Sequence, residues 1–373
     1  MAIGLHADQT VETGVFARVR AIAARELRPR VRDIDAGTYP ADVLRRLGGA
    51  GVFAHHTSAG GGADLEAAIE AMAIVGEECL ATAFCAWCQD ALVWYIANTE
   101  NAELRDALLP SVSNGEILGG TGLSNPMKAL SGIEALRLRG ARVAGGWRVN
   151  GLLPWVSNLG DGHLFGICFA GEGDRLVMAL ARCSDEGVTT RQNAHFIALE
   201  GTATLSVLFR DAFIPDSMVL ADPAEPFVRR IRAGFILLQT GMALGLVRGA
   251  IALVRESDSI CGDVNAYLPD RPDDLQRKAV RLGDEIDVLA RTPYKTDPAY
   301  LRAVLQVRLH GSELSLAAAQ SAMLHAGARG YIAGSVASRK LREAYFVAIV
   351  TPAMKHLRKD IASLGNERKE NDS

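Results

Sequence analysis

The deficits of this 373-residue chain narrow its function before any motif does. It has no excess of basic charge, since 40 Lys and Arg stand against 43 Asp and Glu, a net charge of −3. Aromatics make up only 6% and form no cluster with basic residues, so the electrostatic footprint of a nucleic-acid binder is missing. Cysteines are few for the length: the six at 79, 85, 88, 168, 183 and 261 argue against a disulfide scaffold and for reduced thiols in a cytoplasm. Met1–Gly14 has no charged stretch followed by an apolar one, so no signal peptide is expected. The run Gly234–Val247 (GFILLQTGMALGLV) is broken by Gln239 and Thr240 and flanked by Arg232 and Arg248; it reads as a buried helix, not a membrane span. No P-loop, zinc spacing, nucleophile elbow or strand-following Gly-x-Gly-x-x-Gly occurs.

What is present is apolar bulk, 49% of the residues, enough for a large core and two or three sub-domains. Residues 1–118 carry apolar side chains at helical spacing, as in VFARVRAIAARELRPRV and the long ADLEAAIEAMAIVGEECLATAFCAWCQDALVWYIA. Pro40 marks a helix start and Gly48-Gly49 its stop. Over 119–226 short runs such as HLFGICFAG and TLSVLFRDAFIP, separated by Gly and Asp, predict strands. Residues 227–365 are helical again, and the charged tail 366–373 is expected to be disordered.

The segment most suggestive of chemistry opens with GGTGLSNP (Gly119–Pro126) and closes with NGLLPWVSN (Asn150–Asn158). The first is a turn offering backbone N–H groups and small hydroxyls to a planar polar ligand. The second offers an aromatic face and a hydroxyl for its edge. Core packing for Trp155 and turn capping for Ser124 and Ser157 are the plainer alternatives. The pair resembles the flavin-binding elements of the acyl-CoA dehydrogenase family, a Thr-Glu-Pro turn and a Trp-Ile-Thr-Asn strand. LFRDAFIPDSMVL (Leu208–Leu220), GARGY (Gly327–Tyr331) and RKLREA (Arg339–Ala344) extend the likeness over nearly the whole chain. The resemblance implies an α+β multidomain fold: an N-terminal helical domain, a middle β-barrel domain and a C-terminal helical bundle. It implies FAD as cofactor, with FMN as the alternative. Thr121 and Leu123 would offer backbone groups to the flavin's pyrimidine side and Ser124 its hydroxyl. Trp155 would pack on the ring, with Val156, Ser157 and Asn158 hydrogen-bonding near N5 and O4. It further implies a homodimer or homotetramer built from the C-terminal domain, an acyl-thioester substrate, and an electron-transfer or reductase partner.

The departures from the family pattern bear on the reaction. The family's base is a glutamate nine residues after the Arg matched here by Arg342, and that position is Thr351, whose hydroxyl does not ionise near neutrality. A second position used by some members is Phe235, and Glu200 of the Glu200-Gly201-Thr202 triplet is a poor substitute because it enters a strand. Cys261 and Leu324 stand where an Arg and a Gln usually reach the adenosine half of FAD. Cys85-Ala-Trp-Cys88 has redox spacing, but deep in a helical run it reads as two core thiols. His55-His56 lacks a third metal ligand, and His325 and His356 read as structural. Three functional readings follow: a dehydrogenase of the CH–CH bond in an acyl thioester; a flavin-dependent monooxygenase of the same fold; and a catalytically silent flavin or acyl binder.

Overall fold

The structure is a computed structural model describing residues 14–57 and 63–371; the glycine loop at 60–62 lies outside the described residues. Among the described residues six α-helices come first: α1 (Val15–Ile22), α2 (Val31–Asp35), α3 (Ala41–Gly49), α4 (Leu65–Glu78), α5 (Leu80–Asn98) and α6 (Ala102–Ser113). Three of the starts have a local cause. Pro40 occupies the N-cap position of α3, and the Asp64 and Asn101 carboxylate and amide oxygens accept from Ala67 N and Leu104 N to cap α4 and α6. Helix α5 is apolar all round and is wrapped on every side, with Cys85 and Cys88 deep in its interior as two free core thiols.

Eight strands follow: β1 (Gly119–Thr121), β2 (Arg139–Val143), β3 (Gly146–Val156), β4 (Leu164–Ala170), β5 (Leu176–Arg182), β6 (Val188–Arg191), β7 (Leu205–Pro215) and β8 (Val219–Ala221). One short helix, α7 (Ser124–Leu130), interrupts them where the sequence suggested only a turn. The strands pair in the order β6-β7-β3-β2-β4-β5-β8, with β1 parallel to β4. The two ends of this order do not pair, so the expected barrel is not formed: the sheet is open. It curls instead around a core of its own. Phe165 of β4 and Phe209 of β7, well apart in the strand order, have ring centroids 6.2 Å apart, and Trp147 packs edge-on against Phe169 at 5.4 Å. A four-residue β6 and a three-residue β8 offer too few pairing groups to close the circle.

The last part is a bundle: α8 (Glu225–Leu238), α9 (Thr240–Asn265), α10 (Pro272–Ala290), α11 (Pro298–Ala326), α12 (Val336–Ile349) and α13 (Met354–Asn371). The stretch expected to be an unstructured tail continues as helix to Asn371. Glu225–Asn265 and Leu80–Asn98 are both long and apolar enough to cross a membrane, but both are largely buried inside the protein and serve as core helices. The bundle docks on the N-terminal helices through a close crossing of α4 and α9. A Cβ on Gly245 would lie 2.4 Å from the Ala73 carbonyl oxygen, so only glycine lets the two backbones meet there. Arg342 of α12 adds a three-way tie, bonding Asp35 at the end of α2 and the Ile197 carbonyl in the loop after β6.

Candidate functional site

Strand β1 and helix α7 bring the GGTGLSNP segment beside the end of β3, so the two suggestive elements do meet. Between them lies a cleft of about 140 Å³ lined by Gly122, Ser124, Asn125, Lys128, Glu134, Arg137, Leu153, Pro154 and Trp155. That volume falls below the about 300 Å³ at which small-molecule pockets begin, so this chain alone covers one face of a ring rather than enclosing it. Trp155 is 54% exposed, and its nearest aromatic neighbour is Phe196, edge-on at 6.5 Å. An indole left open beside polar groups is suited to stacking.

The seven residues predicted from sequence divide sharply. Trp155 and Ser124 line the cleft. Ser124 Oγ also lies 2.9 Å from Thr351 Oγ1. Thr121 turns its hydroxyl inward to Tyr95 at 2.8 Å, and Leu123 and Val156 are buried side chains with only backbone to offer. Ser157 sits 2.6 Å from Thr204, which lies 2.8 Å from Thr202, which in turn donates to the Leu199 carbonyl at 2.7 Å. A carbonyl only accepts, so the protons of all three hydroxyls run one way along this chain. Ser157 therefore keeps only lone pairs for a ligand. Asn158 is fully buried with φ 63°. Its amide donates to Gly119 O and accepts from Tyr39 OH, both at 2.6 Å, while its backbone bonds Thr202 O and the His163 ring. It pins β1 to β3 instead of facing the cleft.

The ionic wall of the cleft was not read from the sequence. Asn125 builds it: its Nδ2 donates to Glu134 Oε1 and Ala135 O at 2.9 Å, and its Oδ1 accepts from Arg137 N at 2.8 Å. The Asn125-Pro126 pair was a turn signal that could have pointed here. Burial pushes the Glu134 carboxyl up, but the Asn125 bond and the charges of Lys128 and Arg137 outweigh it and hold it below its ordinary value. The two cations reach Glu134 only at 3.7 and 3.6 Å, beyond hydrogen-bond length, so their donors are largely unspent. An open indole with two such cations fits a planar ring carrying an anionic tail.

The remaining candidates serve structure. Glu200 clamps its own loop, accepting from Phe196 N and Gln192 and pairing with His195 Nδ1 at 2.6 Å. Phe235 is buried against Trp87 and Tyr95. Cys261 marks a kink in α9, with φ −132°. His55 stacks beside Phe16 with centroids 6.4 Å apart, and the side chain of His56 is outside the described residues. His325 turns Nδ1 to the Ser321 carbonyl, and His356 bonds Ser131 at 2.7 Å in a cluster with Asp360 and Arg232. Among the described residues no group of three or more His, Cys, Asp or Glu could hold a metal.

A family model described as the acyl-CoA dehydrogenase N-terminal domain matches residues 12–116. The chain is 23% identical over 349 residues to human mitochondrial short-chain specific acyl-CoA dehydrogenase, covering 88% of this chain and 84% of that protein. The N-terminal part thus matches the acyl-CoA dehydrogenase N-terminal domain, and the chain is similar to an acyl-CoA dehydrogenase over most of its length. It is also 27% identical to benzylmalonyl-CoA dehydrogenase of Aromatoleum aromaticum over 156 residues, which span 40% of this chain and 41% of that relative. The structure of butyryl-CoA dehydrogenase from Megasphaera elsdenii superposes with a TM-score of 0.81 at 14% identity, covering 97% of this chain and 99% of that one. At such identity the likeness establishes the acyl-CoA dehydrogenase fold and leaves the reaction to be argued from the site.

Proposed function

We propose that this protein is an acyl-CoA dehydrogenase-like flavin-dependent oxidoreductase acting on an acyl thioester. The carrying observation is the open Trp155 indole beside Ser124, Lys128 and Arg137. Trp155 would stack against the ring, Ser124 would orient its polar edge, and Lys128 with Arg137 would hold the phosphate of the tail. FAD is the favoured cofactor and FMN the alternative, because both carry such a phosphate. When bound, the flavin supplies a hydride acceptor for a carbon–carbon bond next to a thioester carbonyl.

One observation favours a second reading. Position 351 is a threonine hydrogen-bonded to Ser124, and the one carboxylate lining the cleft, Glu134, is held well ionised and so is a weak base. A reaction that needs no α-proton base, such as oxygen activation by a flavin reduced through a partner reductase, suits these residues better than dehydrogenation. A silent binder is the third reading. Reconstitution with FAD or FMN separates the silent reading from the other two when followed by anaerobic titration with acyl thioesters. Flavin bleaching on substrate addition supports dehydrogenation. Bleaching only with a reductant, followed by oxygen-dependent product formation, supports oxygenation. Protein that takes up neither flavin overturns the proposal.

A further inference from the structure

Arg308, midway along α11, is 1% exposed and has no carboxylate among its partners. Its Nε donates to Gln239 Oε1 at 2.8 Å, one terminal nitrogen to Ser312 Oγ, and the other to the Val347 carbonyl at 2.8 Å. Burial pushes the guanidinium down to about 10, so it remains charged at neutral pH. A buried cation without a counter-ion is expensive to keep. Part of that cost is offset because Val347 lies in the last turn of α12, where the terminal carbonyls present the negative end of the helix dipole.

Gln239, wholly buried between α8 and α9, carries the contact onward. Its Nε2 donates to the Thr351 carbonyl at 2.9 Å. Thr351 stands two residues beyond the end of α12, and its hydroxyl meets Ser124 at the border of the cleft. Guanidinium, amide and threonine thus tie the end of α12 to the turn that follows it. We infer that Arg308 and Gln239 are positioning residues: they fix the α12–α13 turn, set Thr351 against Ser124, and so govern ligand affinity in a cleft that neither one lines. The affinity part rests on the flavin reading; the positioning part does not.

Gln239→Glu separates holding from packing. The new carboxylate gives Arg308 the counter-ion it lacks, yet has no N–H for the Thr351 carbonyl. The expected result is a thermal midpoint at or above that of the wild type, faster amide hydrogen exchange confined to residues 349–354, and FAD affinity weakened about tenfold in a fluorescence titration, the worth of one hydrogen bond. Wild-type exchange in that segment, or a loss of protection spread over the whole chain with a lowered midpoint, would overturn the inference. If wild-type protein takes up no FAD, the flavin reading fails and the exchange measurement alone decides on positioning. If Gln239→Glu does not fold, Arg308→Lys decides in its place. It keeps the charge but lacks the planar fork, and unchanged exchange over 349–354 in that variant would refute the role.

Discussion

Asn158→Ala and Trp155→Ala, three residues apart at and just beyond the end of β3, should fail in opposite ways. Truncating Asn158 leaves the Tyr39 hydroxyl without an acceptor and the Gly119 carbonyl without a donor, both in the interior. Each orphaned buried group costs about 1–3 kcal/mol. The backbone at φ 63° adds a smaller penalty of about 1 kcal/mol, because alanine tolerates the left-handed region less well than asparagine. A loss of about 3–7 kcal/mol is expected, and a correspondingly lower thermal midpoint. Trp155 is more than half exposed and touches one edge-on ring, so its removal should cost no more than about 1 kcal/mol of stability. Its stacking on a bound ring is worth a similar amount beyond area burial, so FAD dissociation should rise about tenfold or more. Differential scanning fluorimetry reads the first effect and flavin fluorescence quenching the second. An Asn158→Ala protein with an unchanged midpoint and abolished flavin binding would refute the reasoning and return Asn158 to the role first expected of it.

Thr351→Glu places a carboxylate where the resemblance puts the base and should create or raise acyl-thioester dehydrogenation, followed by anaerobic flavin bleaching; no gain in a folded, flavin-loaded variant would mean the turn does not face the substrate. Asp360 is pushed up by burial, but its bonds to His356 and Ser131 and the Arg232 charge hold it below its ordinary 3.8. A depressed carboxyl stabilises above its unfolded pKa and loses that contribution as pH falls through the folded one, so the midpoint gap between wild type and Asp360→Asn should shrink from pH 7 to pH 3. A constant gap would contradict this. Sedimentation should give a dimer or tetramer, since Ile260, Val264, Tyr267, Leu324, Tyr331 and Ile332 of the C-terminal part are exposed apolar side chains. A monomer near 39.8 kDa at micromolar concentration would reject that.

Periodicity made the helical and strand-rich stretches legible because each element buries a repeating face, and family motifs supplied the order of layers. Closure of the sheet was not legible: it depends on strand lengths at β6 and β8, which no motif encodes. In the site, Trp155 and Ser124 could be proposed from sequence because an aromatic and a hydroxyl advertise their chemistry, and both line the cleft. The inward placement of Asn158 was illegible for a related reason, since an amide has the same donors and acceptors whether it faces a ligand or Tyr39. Lys128, Glu134 and Arg137 went unread because only the α7 turn and the Asn125 clamp bring them together. The Arg308–Gln239–Thr351 chain joins residues 112 apart in sequence, and no local pattern could announce it.

The most direct test of the central claim is equilibrium titration of purified protein with FAD and FMN, alongside Trp155→Ala. Saturable binding with a flavin spectrum altered from that of free cofactor, weakened about tenfold in the variant, is the predicted result. Protein that binds neither flavin, or a variant that binds as tightly as the wild type, would contradict it.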